Sequence, residues 1–297
     1  MFIYQQKLFI LSEGIILETG KVVVITGANN GIGLELTKKI LAEGSQVIAL
    51  IRSSFLKDDI FIQSKITTGQ LRIYKADLSD FNSLKKALEE INAAEKKIDF
   101  LFNNAGGTFP SLLFSKQNRE LHYELQTVVP YIIFKELSPL FEKGEDKTIV
   151  NTSSAVILHV KQFDPDTLEN PSSFKRLFGP YATAKLALSL WTKEIAKKES
   201  ANGFRFLSVD PGSNNTLRKE KKSGIPFYIK PLMKFFSSPP TKGATLLYDA
   251  AMDKTRAVSG DFIVKGKSTK VNFAEYSSLV LEGVDRIYVR EFLNSEE

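Results

Sequence analysis

The chain has 297 residues, 43% of them hydrophobic and 25% charged, the balance of a soluble globular protein whose length suits one large α/β domain. It contains no cysteine and two histidines, His122 and His159, which excludes disulfides, zinc–thiolate sites and thiol nucleophiles and leaves too few imidazoles for a histidine metal cage. The net charge of +6 fits lysines solvated on helix faces and comes without an arginine-rich arm or zinc-finger spacing, so nucleic acid is not an expected partner.

Residues 1–19 begin MFIYQQKLFILSEGIIL. Gln5, Gln6, Lys7, Ser12 and Glu13 cut its apolar runs below the length that spans a bilayer. The charged start and small-residue cleavage site of a signal peptide are missing. The stretch is expected to be an extension ahead of a domain over 20–297, in a cytoplasmic protein, with weak peripheral membrane association as the alternative.

KVVVITGANNGIG then gives a β-branched run, Val22 to Thr26, followed by a glycine-rich turn. Leu34, Ile40 and Leu41 follow at helical spacing, with Gly44 as a stop. QVIALI and LRIYKADL are further strands, and SDFNSLKKALEEINAAEKK is a helix that Ser79 or Asp80 can cap. IDFLFNNAG, KTIVNTSSA, FRFLSVDPG and GDFIV complete seven strands alternating with helices. Apolar strands of this kind are covered on both faces, so the pattern predicts an α/β fold, a doubly wound parallel sheet in a single domain. Two stretches break the rhythm, an insert at 156–180 and a basic, then aromatic, then proline-bounded segment at 217–240.

The glycine turn follows the first strand and opens a helix. Backbone amides at a helix N-terminus face a pyrophosphate, and glycine lets the backbone approach it. Gly27, Asn30, Gly31, Ile32 and Gly33 are therefore candidate cofactor-binding residues, although the spacing is Gly-x-x-x-Gly-x-Gly rather than the usual dinucleotide fingerprint. GDFIVKGKS has a P-loop look, but its glycines are one residue too far apart, and a strand ending in a turn explains it better. The second strand ends at Ile51–Arg52. An acidic residue there would accept from a ribose 2′-hydroxyl, whereas Arg52 could clamp a 2′-phosphate, which favours NADP(H) over NAD(H). The alternative is an ordinary surface arginine.

Tyr181 and Lys185 stand four residues apart on a predicted helix and share a face. Alone, the pair is a common accident. Its company is TGANNGIG, NNAG, IVNTSS and DPG, in one order and at sensible distances. Together these motifs resemble the short-chain dehydrogenase/reductase family over about residues 20–265, most closely its retinol-dehydrogenase-like branch.

The resemblance implies a Rossmann-like domain and a set of roles. Tyr181 would be the general acid for carbonyl reduction or the base for alcohol oxidation, its pKa drawn down by positive charge from Lys185 and the nicotinamide. Lys185 would also hold the nicotinamide ribose. Ser154 would hydrogen-bond the substrate oxygen, with Ser153 as second choice. Asp77 and Leu78 would meet the adenine, Asn104 and Ala105 the adenosine ribose, and Thr216 the nicotinamide side; the alternatives are a cap for Asp77 and a simple turn at Asn103–Asn104. The family carries an asparagine that completes a water relay to the lysine, and alignment on Pro139 puts Gln126 there, an amide one methylene longer.

The expected function is interconversion of an alcohol and a carbonyl on a small molecule, by a monomer or homodimer. Ile225, Phe227, Tyr228, Phe235 and Phe236, in the segment where the family builds its substrate lid, favour a lipophilic substrate; the alternative is that these aromatics pack onto the core or a partner subunit. Arg218, Lys219, Lys221 and Lys222 are a solvated run or a contact for anionic lipid. The competing expectation is a non-catalytic dinucleotide sensor or scaffold of the same fold. A nucleotide-sugar epimerase is disfavoured by the glycine spacing.

Overall fold

The computed structural model describes residues 20–213, 238–253 and 257–294. The extension at 1–19, Thr216 and the part of the 217–240 segment before Ser238 lie outside the described residues. Eight strands form one sheet, β1 (Val22–Thr26), β2 (Gln46–Ile51), β3 (Leu71–Lys75), β4 (Phe100–Asn103), β5 (Thr148–Thr152), β6 (Arg205–Asp210), β7 (Phe262–Val264) and β8 (Lys267–Thr269). Their order is β3-β2-β1-β4-β5-β6-β7-β8, parallel except for the last pair.

The doubly wound sheet is as expected, and the sequence shows how it is covered. Alternate residues of β1 face opposite ways, so Val22 and Val24 join one core while Val23 and Ile25 join the other. The first core lies under α3 (Phe81–Ala94), α5 (Val129–Phe141), α6 (Pro180–Lys198) and α8 (Ser277–Ile287). The second lies under α1 (Gly31–Ala42), α2 (Ile60–Thr67) and α7 (Pro240–Met252). Asp80, not Ser79, caps α3, accepting from the Asn82 and Ser83 amides. Ser79 instead donates its hydroxyl to Asp77 at 2.7 Å.

Two features go beyond the sequence reading. GDFIVKGKS is a hairpin: Lys265 and Gly266 both take positive φ, 51° and 74°, and return the chain as the antiparallel β8. The helix before α5 is not regular. α4 (Leu121–Tyr123) passes into a π turn, Glu124–Val128, before α5 begins. The π turn is strapped to α6, because Thr127 donates to the Ala184 carbonyl at 2.8 Å and Trp191 donates to the Thr127 carbonyl at 3.2 Å.

The insert at 156–180 holds two short 3-10 turns, Ala155–His159 and Pro165–Thr167. Phe163 anchors it by packing edge-on against Tyr276 and tilted against Phe273. Among the described residues no helix is long and apolar enough to cross a membrane.

Candidate active site

The order of strands reverses between β1 and β4, and the crevice beyond their C-terminal ends is where open α/β sheets take ligands. A cleft of about 750 Å³ lies there. Of the residues expected from sequence, it is lined by Gly27, Asn30, Gly31, Ile32, Arg52, Asp77, Leu78, Asn104, Ala105, Gln126, Tyr181 and Lys185.

The floor of the cleft between β1 and α1 needs glycine. Gly27 and Gly31 have φ of +67° and +52°. A Cβ on Gly33 would stand 2.3 Å from the Gly27 carbonyl oxygen and 2.6 Å from Asn104 Nδ2. Thr26 closes the other side, its hydroxyl accepting from the Asn104 and Ala105 amides at 3.0 and 2.9 Å. The result is a bare backbone cradle at the start of α1, which fits a dinucleotide pyrophosphate.

At the outer rim Arg52 lies 3.7 Å from Asp77, the arginine largely exposed and the aspartate partly so. Asp77 is partly buried, which opposes ionisation, but hydrogen bonds from Ser79 and the nearby Arg52 outweigh this and hold its carboxyl below the usual range. Asn29 donates to the Ser53 carbonyl at 2.6 Å and so ties the glycine turn to the end of β2.

At the opposite end β5 and α6 bring Ser154, Tyr181 and Lys185 together. The hydroxyl of Ser154 stands beside the Tyr181 phenol and accepts from the Val156 amide at 3.3 Å. Ser153 lines the cleft as well, but its hydroxyl is engaged 2.8 Å from that of Ser189 on α6. Lys185 is buried and donates to the Thr152 carbonyl at 2.5 Å. Burial pushes its pKa down to about 7. Burial also pushes the Tyr181 phenol up, opposed by the Ser154 hydroxyl beside it and reinforced by the charge of Asp210. Among the protein's own groups this reverses the expected lowering of Tyr181, because desolvation disfavours charge on both residues.

Gln126 sits in the π turn with 1% of its surface exposed. It donates to the Gly107 carbonyl at 3.0 Å, and its Oε1 has no hydrogen-bond partner. Sequence reading gave His122 no role, yet its ring lies edge-on to Tyr181 with centroids 5.7 Å apart. A lone histidine in RELHYEL offers no signal of such a neighbour. Among the described residues no group of three or more His, Asp or Glu is placed to hold a metal.

The model of the short chain dehydrogenase family matches residues 21–163. An uncharacterized oxidoreductase of Schizosaccharomyces pombe is 32% identical over 202 residues, 67% of this chain and 75% of that one. Human retinol dehydrogenase 11 is 29% identical over 260 residues, 84% of this chain and 80% of that one. The fold is shared with L-sorbose reductase from Gluconobacter frateurii, solved with NADPH and L-sorbose, at a TM-score of 0.63 and 18% identity, covering 85% of this chain and 98% of that one. The chain belongs to the short-chain dehydrogenase family and is an oxidoreductase acting on CH–OH groups. Within the family it stands with the retinol-dehydrogenase-like branch.

Proposed function

We propose that the protein is an NADP(H)-dependent oxidoreductase that interconverts an alcohol and a carbonyl on a small lipophilic molecule, with Tyr181 as the acid/base. The observation that carries this is that Tyr181, with Ser154 beside its phenol, and Lys185 line one end of the cleft whose other end is the glycine cradle. A bound nicotinamide dinucleotide supplies or accepts the hydride. The cradle of Gly27, Gly31 and Gly33 would hold its pyrophosphate, Asn104 and Ala105 its adenosine ribose, and Arg52 its 2′-phosphate, with NAD(H) the alternative cofactor.

For reduction, Ser154 donates a hydrogen bond to the carbonyl oxygen and Tyr181 delivers a proton to it as negative charge develops. A raised phenol pKa keeps that proton in place until the oxygen needs it. Lys185, near neutrality in proton affinity, is set to accept hydrogen bonds or charge according to what lies beside it. The cleft wall of Phe109, Pro110, Leu121 and Leu125 supports an apolar substrate, as does the likeness to a protein named for retinol. The unpaired Oε1 of Gln126 favours one rival, a dinucleotide-binding sensor in which the proton path is incomplete.

The test is to mix the protein with NADPH and a panel of lipophilic aldehydes and ketones and follow cofactor absorbance. Turnover that Tyr181→Phe abolishes, with NADPH binding retained, is the expected result. No turnover on any compound, with NADPH bound, selects the sensor.

A further inference from the structure

His122 takes no part in the chemistry above, yet it is wholly buried beside it on α4. Phe109, a residue of the cleft wall, lies against its ring with centroids 4.6 Å apart. Both ring nitrogens are engaged. The Phe109 amide donates to Nε2 at 3.1 Å. A backbone amide can only donate, so Nε2 carries a lone pair and the proton is on Nδ1. Nδ1 is 2.6 Å from Glu120 Oε1. Glu120 is itself 1% exposed, and its other oxygen accepts from the Tyr123 amide at 2.9 Å. One tautomer satisfies every group, whereas a proton on Nε2 sets N–H against N–H at Phe109.

The loop that follows β4 reaches the cleft between Asn104 and Pro110. Beyond the Thr26 hydroxyl at the Asn104 and Ala105 amides, two side chains hold its backbone there, Gln126 at the Gly107 carbonyl and His122 at the Phe109 amide. They stand four residues apart on one helical stretch.

We propose that His122 is a positioning residue for the reaction, held by Glu120 as the Nδ1–H tautomer so that it fixes the Phe109 side of the substrate cleft and the ring of Tyr181. The proposal rests on Tyr181 being the acid/base. The titratable groups facing the imidazole are the Glu120 carboxylate on its own turn and the Tyr181 phenol on α6. The Phe109 loop presents an amide and a ring.

Two variants separate its functions. His122→Phe keeps a flat ring and loses the acceptor, whereas His122→Gln keeps an acceptor near the Nε2 position and loses the ring. At saturating NADPH, His122→Phe is expected to raise KM for a lipophilic aldehyde about tenfold, the scale of one lost hydrogen bond. His122→Gln recovers most of that loss, and both variants bind NADPH like the wild type. An unchanged KM in His122→Phe, or equal losses of KM and NADPH affinity in both variants, overturns the proposal. A second readout needs neither variant nor turnover. The wild-type chain holds only His122 and His159, and His159 is exposed, so a 15N-histidine spectrum resolves the buried ring. An Nδ1–H signal for His122 is expected. An Nε2–H signal overturns the proposal even in a protein that reduces nothing, while absence of turnover with an Nδ1–H signal counts against the Tyr181 reading instead.

Discussion

Lys185→Met is expected to stabilise the fold at neutral pH while abolishing turnover. The folded lysine loses its proton near pH 7, against an ordinary value of 10.5, because burial penalises the ammonium. At about 1.4 kcal/mol per tenfold change in proton affinity, this costs about 5 kcal/mol wherever the lysine is protonated in both states, and about 4 kcal/mol at pH 7. Methionine has a similar reach and no charge. It forfeits the hydrogen bond to the Thr152 carbonyl, worth about 1 kcal/mol, so the net gain at pH 7 is about 3 kcal/mol. The sign with pH follows from proton counts. Between pH 7 and 10.5 the unfolded chain binds more protons at this site than the folded one, so wild-type stability rises with pH through that window. The advantage of the variant is therefore largest below pH 7 and closes toward pH 10.5. Trp191 is the single tryptophan and is buried in α6, so its fluorescence in urea titrations at successive pH values reads both proteins. Curves that coincide at pH 7, or a gap that widens toward pH 10, would refute the reasoning.

Gly33→Ala places a methyl against the Gly27 carbonyl, backbone that cannot swing aside. A loss of about 1–3 kcal/mol on thermal or urea unfolding is expected, with weakened NADPH binding in the surviving fold. Arg52→Ala should weaken NADPH by about tenfold or more and leave NADH and stability unchanged, since an exposed ion pair contributes little; equal losses for both cofactors, measured by fluorescence titration, would remove Arg52 from the phosphate site. Ser154→Ala should lower kcat by about 100-fold at constant melting temperature. Ser153→Ala should instead lose about 1 kcal/mol of stability with kcat kept, because its hydroxyl bonds Ser189; the opposite pattern would exchange the two serines.

The strands were legible because each is a short β-branched or aromatic run closed by a turn residue, as in VVVIT before Gly27. β8 was not, since Lys267–Thr269 is three polar residues whose strand state comes from the Lys265–Gly266 turn rather than from any apolar pattern. α2 was missed because IFIQSKIT is rich in β-branched residues and buries Ile62 alone, leaving no helical stripe to read. At the site, motif order located the cleft, but three things depend on packing. Which of two adjacent serines faces Tyr181 is set by the turn that starts at Ser154. The depressed pKa of Lys185 reflects burial that a lysine's identity does not reveal. The reach of Gln126 to Gly107 depends on the π turn, and helical periodicity read from sequence assumes the regular turn it replaces.

That π turn also bears on how such a site is made. A helix rotates about 100° per residue, and a π turn accommodates one residue more than the α repeat. α4 and α5 are thus two halves of a rod turned out of phase by a single position. With the extra residue, Leu121, Leu125 and Gln126 face the cleft while α5 keeps its apolar side on the sheet. Without it, the two halves would share one continuous stripe and the wall could not be kept without lifting α5 from the core. One residue inserted into or deleted from this turn would separate a helix that merely covers the sheet from one that also borders the cleft.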